Sequence, residues 1–583
     1  MIKVSDYVIS FFENKNINTA FTVSGGGCIH LIDSLRKSSQ IKTYCVHHEQ
    51  AALMASEGYT RETGNLSLNI VTTGPGGTNT ITGLLGLWLD SIPGIIISGQ
   101  VPSNQLSRGT GCRQIGDQEF DIVQTIKNCT KYSVTITKAE NIVFELEKAY
   151  NIAISGRPGP VWVDIPLDIQ ASFIDEKKPS KENQISDEII SNKENDKNKI
   201  FNFIKLLEQS KKPLIIAGNG IRLSNSYNIF NEWVKKIEIP VVTGPHSGVD
   251  VIDNDYKYYA GRIGILGQIT SNQIVQEADL IIIIGSRCPV KMTGYDVMRF
   301  SPESKKIIID IDENEINKHN FFVNLKINND IKDFILSLDE YNKKLSISDW
   351  QEHIVSKRLS QIFYYPKHEN MNNFMSMYYF TYMLKSHLRD QTIVTSNGTA
   401  HVVLMQMYRL NNNQRMFTNV GCASMGYGLP ASIGACIGSK KQVICFEGDG
   451  SIMMNLQELQ TAKHHNLPIV IFIINNDGYL SIKMTQESFF NGEMFASGSE
   501  SGVTLPNFEK IAESFNIRYF SIKNNKEINK KLEEIICLKE LCIVELFCHP
   551  NEKHEPKVIA KGIDDQGKII PGSLTDMAVT EGF

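Results

Sequence analysis

Two residues with oxygen to offer, Asp449 and Asn476, stand at the ends of consecutive apolar runs in the last third of the chain. The run Gln442–Glu447 reads as a buried strand, and Gly448-Asp449-Gly450-Ser451 follows it. A helical stretch Ile452–His465, then Pro468, a second strand Ile469–Ile474 and Asn475-Asn476 complete one βαβ unit. The right-handed crossover of such a unit brings both strand carboxyl ends to one edge of the sheet, so Asp449 and Asn476 converge. A carboxylate, an amide oxygen and a main-chain carbonyl, that of Gly478, offer three oxygens to Mg²⁺, which takes six in a near-octahedral array. A diphosphate and a water suit the remaining positions. Gly448 and Gly450 let a phosphate approach the backbone, and Ser451 stands at a helix start, where N–H groups and the dipole favour an anion.

A second set lies in the first third. After the strand-like Ile41–Val46 come His47-His48-Glu49-Gln50-Ala51-Ala52 and a helix to Arg61. Glu49 falls at a strand-to-helix junction, where a single carboxylate can be partly buried and aimed outward. The ordinary alternative at such a place is a surface residue favoured by the helix dipole. The strand Leu66–Val71 leads into Thr72-Thr73-Gly74-Pro75-Gly76-Gly77-Thr78-Asn79, a long helix to Leu89 and Asp90-Ser91-Ile92-Pro93. Just ahead of the Gly448–Ser451 turn, a glycine-rich run from Gly421 to Ala435 contains Ala423 and Met425. By itself that run reads as a helix entry with a core methionine.

The elements that must position these residues alternate in type. Short β-branched runs (Ser67–Thr72, Ile95–Ser98, Val161–Ile165; Pro213–Ala217, Leu280–Gly285, Lys306–Ile311; Val443–Glu447, Ile469–Ile474) are separated by helix-length amphipathic segments. This predicts an α/β protein of three doubly wound parallel-sheet domains, over residues 1–175, 200–340 and 370–583. The outer blocks read as one architecture used twice. The separators are Asp175–Lys199, rich in Lys, Glu, Asn and Ser, and Tyr341–Asn373, where Trp350, Phe363, Tyr364 and Tyr365 could pack as an amphipathic segment.

At 583 residues with 42% hydrophobic content, the chain has apolar material for about three or four domains. Its formal charge of −5, with Lys, Arg, Asp and Glu interspersed, provides no basic surface for nucleic acid or an anionic membrane. No apolar run approaches the roughly 20 residues that span a bilayer, and the first residues lack a signal-peptide pattern, so the expected compartment is the cytoplasm. Eleven cysteines without a C-x-x-C pair are expected as small buried hydrophobes, not as a zinc site or a catalytic thiol.

Taken together, these motifs resemble those of the thiamine-diphosphate enzymes of acetolactate-synthase type. The family's cofactor signature is G-D-G…N-N, and Gly421–Ala435 is similar to its G-x-x-x-M-G-x-G-L-P-A-x-I-G-A stretch. His48–Ala52, Thr72–Asn79, Asp90–Pro93 and Gly99-Gln100-Val101-Pro102 follow its catalytic-glutamate and T-x-G-P-G-x-x-N…D-x-x-P…G-Q-x-P runs. Gly25-Gly26-Gly27 and Gly156–Pro166 are further landmarks. The resemblance implies Glu49 as the catalytic residue, bonded to the cofactor's pyrimidine nitrogen so that the cofactor's own imino group becomes the base. It implies Asp449, Asn476 and the Gly478 carbonyl as Mg²⁺ ligands, Met425 as the prop for a bent thiamine, and the Ala423 carbonyl as acceptor from the aminopyrimidine. Gly25, Gly26, Thr73, Gly74, Pro75, Asn79, Gln118, Gly448, Gly450 and Ser451 are implied as further cofactor-binding positions.

The same resemblance implies a pyrimidine-binding first domain, a central domain that holds FAD without redox use, and a diphosphate-binding last domain. It implies a homodimer or homotetramer with active sites between subunits. The reaction implied is decarboxylation of a 2-oxo acid such as pyruvate, with the two-carbon unit joined to a second 2-oxo acid or to a nucleotide-linked 4-keto-deoxysugar. The alternative is a simple decarboxylase that releases an aldehyde. Cys288-Pro289-Val290-Lys291-Met292 replaces an acidic phrase of the FAD domain. Asp117-Gln118-Glu119 stands for the family's F-Q-E, Leu167 for the Lys of D-I-P-K, and Asp477–Gln486 lacks M-V-T-Q-W. These changes near the acceptor are similar to those of acetolactate-synthase-like enzymes that act on keto-sugars.

Overall fold

Runs of β-branched residues without polar alternation, such as Leu280–Ile284 and Ile469–Asn475, form strands buried on both faces, as parallel sheets covered by helices require. The computed structural model describes the chain except for residues 176–192, 246–247, 319–320, 339–340, 342, 372, 564, 566–568 and 581–583. Three six-stranded sheets carry the fold. The first orders its strands Lys42–Cys45, Thr19–Thr22, Leu68–Val71, Gly94–Gln100, Pro160–Pro166, Tyr132–Thr135, all parallel. The last has the order Met416–Phe417, Thr392–Thr395, Val443–Gly448, Ile469–Asn475, Cys542–Phe547, Arg518–Ile522, also all parallel. Numbered along the chain, both sheets run 2-1-3-4-6-5, so the outer blocks do share one architecture. The central sheet runs 3-2-1-4-5-6, from Tyr259–Arg262 through Pro213–Ala217 and Leu280–Ile284 to Leu325–Asn328. In each sheet the order reverses beside the strand that comes first in the chain, and the crevice beyond the carboxyl ends there is where such folds bind ligands.

The outer sheets are joined through two helices, Glu49–Thr63 and Gly428–Ser439, which share one hydrophobic core containing Leu53, Tyr59, Leu429 and Ile433. Their contact is backbone to backbone. A Cβ on Gly58 would fall on the Ala431 carbonyl, and one on Gly434 would fall on that of Ala55.

One segment differs from the sequence expectation, and a second, left open there, forms a packed helix. The stretch Ile452–His465 is not one helix: Asp449–Ile452 and Glu458–His464 are separated by a turn in which Asn455 Nδ2 donates to the Gly426 carbonyl. The polar stretch after Tyr341 contains a helix, Ser348–Leu359, whose Trp350 is buried against the central sheet and donates to the Pro213 carbonyl at 3.0 Å. The separator Asp175–Lys199 lies largely outside the described residues, although its end opens the helix Lys193–Gln209. All eleven cysteines are free. No helix among the described residues is long and apolar enough to cross a membrane.

Candidate active site

The first sheet reverses its order between Thr19–Thr22 and Leu68–Val71, and the loops after these strands carry the first group of residues. Gly25 lies against Thr72, where a Cβ would sit 2.6 Å from the threonine side chain, and Gly27 N donates to Thr72 Oγ1 at 3.1 Å. Gly26 opens a short 3₁₀ turn with open space at its α-carbon. Gly74 has φ +58, a conformation glycine adopts at no steric cost, and a Cβ there would lie 2.5 Å from the Gln118 carbonyl oxygen. Thr73 Oγ1 donates to Gln100 Oε1 at 2.5 Å and approaches the same Gln118 carbonyl at 3.3 Å. The backbone of Gln118 thus backs the turn, while the residue itself is exposed. Pro75 starts the helical turn Pro75–Thr78, and Asn79 follows it.

Glu49 is the first residue of its helix, behind a His48 cap whose Nδ1 accepts from Gln50 N at 3.1 Å, and only 8% of it is exposed. Its Oε2 accepts from Asn79 Nδ2 at 3.0 Å. Its Oε1 points toward Gly76, where a Cβ would lie 3.7 Å away.

In the last sheet the order reverses between Thr392–Thr395 and Val443–Gly448. Asp449, 2% exposed, follows the second of these strands and accepts backbone N–H groups from Gly450 at 2.7 Å, Asn476 at 3.0 Å and Gly478 at 3.0 Å. Burial pushes its carboxyl up to about 6 despite these donors and the nearby Lys483. Asn476 lies beside it, 5% exposed. Gly478, at φ +104, packs against the Ser497 carbonyl, and its own carbonyl accepts from Leu480 N at 3.0 Å. Gly448 caps the Asp449–Ile452 turn, and Gly450 has no room for a side chain because the Tyr479 ring covers it. Ser451 Oγ accepts from Gly426 N at 2.9 Å, which ties the Met425 loop to this turn. Ala423 holds φ +52, strained for a residue with a Cβ, and its carbonyl accepts from Asn397 Nδ2 at 3.1 Å.

Asn397 and Thr399 were not singled out in the sequence. They open the helix Gly398–Met407 after strand Thr392–Thr395, and Asn476 Nδ2 donates to Thr399 Oγ1 at 3.3 Å. The signal that marks them is the same as at Asp449: a buried strand, a Gly-containing turn and a helix start. Their place at the reversal of strand order is visible only in the fold.

The two groups are joined within one chain, though Glu49 makes no hydrogen bond to the Asp449 group among the described residues. His47 N donates to Glu458 Oε1 at 3.0 Å, and Asn455 Nδ2 touches both the Gly426 carbonyl and, at 3.6 Å, Met54 Sδ. A cavity of ≈ 530 Å³ lies where the central sheet reverses, between Asn219-Gly220 and Gly285-Ser286-Arg287, and extends to Arg157 and to Ala423. Asp90 accepts from Arg61 at 2.6 Å, Arg287 at 3.3 Å and Gly421 N at 2.9 Å, so one buried carboxylate ties all three sheets' loops together beside the cavity.

Comparison with known proteins agrees with this geometry. Residues 2–125 match the family "Thiamine pyrophosphate enzyme, N-terminal TPP binding domain", residues 200–338 its central domain and residues 396–546 its C-terminal TPP binding domain. The chain is 31% identical over 549 residues to the acetolactate synthase large subunit of Buchnera aphidicola from Schizaphis graminum, covering 92% of both chains. It is 32% identical over 571 residues to a probable acetolactate synthase large subunit of Methanococcus aeolicus, covering 94% of this chain and 92% of the other. With the isozyme 1 large subunit of Escherichia coli K12 it shares 28% over 557 residues, 95% of each.

Proposed function

The chain belongs to the thiamine pyrophosphate enzymes, as an acetolactate-synthase-like member that decarboxylates pyruvate and joins the two-carbon unit to a ketone, and on that premise we propose how its residues divide the work. The observation that carries the proposal is the Asp449 carboxylate: buried, held by three backbone N–H groups, and next to Asn476 at a reversal of strand order. A buried carboxylate raised in this way is stabilised by a cation, and hard oxygen donors select Mg²⁺. Asp449, Asn476 and the Gly478 carbonyl hold the ion. Gly448, Gly450 and Ser451, with the start of helix Gly398–Met407, receive the diphosphate. Thiamine pyrophosphate, when bound, supplies an electron sink for loss of CO₂ and a nucleophilic carbon for the new bond.

Glu49 holds or releases a proton at the pyrimidine nitrogen, with Asn79 fixing its carboxylate. Gly25, Gly26, Thr73, Gly74 and Pro75, backed by Gln118, shape the surface against which the pyrimidine lies. Met425 fills the space beneath the bend, and the Ala423 carbonyl accepts from the amino group. In this reading the pyrimidine and diphosphate sites that form one centre come from different copies of the chain, in a homodimer or homotetramer.

The central cavity, with glycines in both turns at its floor and Arg157 in its wall, is proposed to take FAD as a structural group without electron transfer. Lys291, which also lines it, belongs to the phrase Cys288-Pro289-Val290-Lys291-Met292 that stands where the family has an acidic phrase. Absorbance of the purified holoenzyme near the flavin bands reads its occupancy. For the acceptor we propose a nucleotide-linked 4-keto-deoxysugar in preference to a second pyruvate. Of the helix Leu480–Phe489, only Leu480 is buried, which supports an open wall where the synthases place an aromatic side chain. Incubation with pyruvate and both acceptors, with products identified by mass, tests this. Acetolactate as the dominant product at comparable acceptor concentrations overturns the sugar reading, and aldehyde alone overturns ligation.

A further inference from the structure

After the last sheet strand the chain returns to the cation site. The segment is pinned on both sides of His554. Glu552 accepts from Ser376 Oγ at 2.5 Å and from Met377 N at 2.9 Å, Glu555 N donates to Tyr378 OH at 2.7 Å, and the Glu555 carboxylate meets His368 Nε2 at 3.0 Å. Held in this way, His554 is 6% exposed, and its Nε2 lies 3.0 Å from Thr399 Oγ1, the hydroxyl that also meets Asn476 Nδ2. His554 lies beyond residue 546, where the family match ends.

We propose that His554 is a positioning residue for the cation site, acting through Thr399 to fix which atom Asn476 presents to the metal. This rests on the reading of Asp449 and Asn476 as cation ligands. A threonine hydroxyl has one proton to give. When its oxygen accepts the Asn476 amide N–H and its proton is given to His554 Nε2, that nitrogen offers the lone pair. Burial pushes His554 down to about 4, so the ring is neutral, and with its proton on Nδ1 the lone pair is on Nε2. With its NH₂ group held by Thr399, Asn476 turns its oxygen to the other side, where a cation accepts it. Without the histidine acceptor the Thr399 proton is free to point at Asn476, the amide turns over, and an NH₂ group faces the cation. Outer partners of this kind commonly set metal affinity.

Mn²⁺ serves as probe, its binding read from loss of the free-ion electron paramagnetic resonance signal in full-length protein with thiamine pyrophosphate present. His554→Leu and Thr399→Val should each raise the Mn²⁺ dissociation constant about 10–100-fold. His554→Gln, whose amide oxygen can take the Thr399 proton, should restore most of the affinity. A folded His554→Leu protein with unchanged Mn²⁺ affinity overturns the proposal, as does His554→Gln binding as weakly as His554→Leu. Should His554→Leu fail to fold, unchanged affinity in the near-isosteric Thr399→Val overturns it equally. Asp449→Ala separates the two levels. Unchanged Mn²⁺ binding there removes the cation site itself, whereas loss there with normal binding in the other variants removes only the role of His554.

Discussion

Asn79 Nδ2 donates to Glu49 Oε2 at 3.0 Å, so the side chain that closes one glycine turn holds the carboxylate that opens the preceding crossover helix. This leaves Oε1 as the oxygen aimed past Gly76. Glu49→Gln should lower turnover by about 10²–10⁴-fold, because it removes a proton-transfer group and leaves the phosphate anchor intact. Asn79→Ala should lower it by roughly 10-fold, the cost of freeing a hydrogen-bonded charged group. Cofactor affinity, measured by calorimetry, should stay within a few-fold in both. Near-normal turnover in Glu49→Gln would take Glu49 out of the reaction.

At the other end of the site, Asp449→Ala should act on binding. Loss of the buried carboxylate should weaken the binding of Mg²⁺ and of thiamine pyrophosphate by more than the roughly 10–100-fold typical of an outer partner. Activity should recover in part with excess of both. Titration curves that overlay those of the unaltered enzyme would place the metal elsewhere.

Gly58 and Gly434 should not tolerate alanine. On a free helix surface Gly→Ala gains about 1 kcal/mol. Here each added methyl meets a carbonyl of the facing helix, an obstacle that no rotamer change avoids, and overpacking of this kind costs about 1–3 kcal/mol. The clash should win and the melting temperature should fall in Gly58→Ala and in Gly434→Ala. A rise in either would show that the helices can part without cost.

Glu555 gives the pH dependence. Burial opposes its charge, but the bonds from His368, Lys367 and Thr580 outweigh burial and hold its carboxyl at about 2, below its usual value near 4.5. The folded state therefore releases this proton more readily than the unfolded chain. Its stabilising contribution is fully present above about pH 4.5 and is lost as the pH falls through about 2. Glu555→Gln should melt below the unaltered protein at pH 6, and the gap should close between pH 4.5 and 2. A gap that is constant over that range would exclude the ionised pairing as its cause.

The meeting of Asp449 and Asn476 was legible in the sequence because a crossover rule fixes where the two ends of a βαβ unit lie, and both residues sit at such ends. The same rule says nothing of Thr399, whose helix follows the strand Thr392–Thr395, placed beside Val443–Gly448 by the sheet order and not by adjacency in sequence. His554 carries no periodicity at all. Its position depends on Glu552 and Glu555 being caught by the segment around Ser376. The break between Asp449–Ile452 and Glu458–His464 was hidden for a similar reason: the apolar spacing continues through it, while the turn is held by Asn455 reaching a distant carbonyl. Trp350 made the second polar stretch ambiguous, and its indole bond to Pro213 identifies that stretch as part of the central layer.

The helices that meet at Ala55 and Gly58 on one side and Ala431 and Gly434 on the other each follow the second strand of their own sheet. Their contact is reciprocal, alanine carbonyl to glycine in both directions. A local dyad therefore runs through a single polypeptide, with the self-complementary character otherwise found between identical subunits. It leaves a lasting constraint on divergence: the two halves are free to drift in their loops and chemistry, but along this seam a methyl gained on one side must be answered by a shift of main chain on the other.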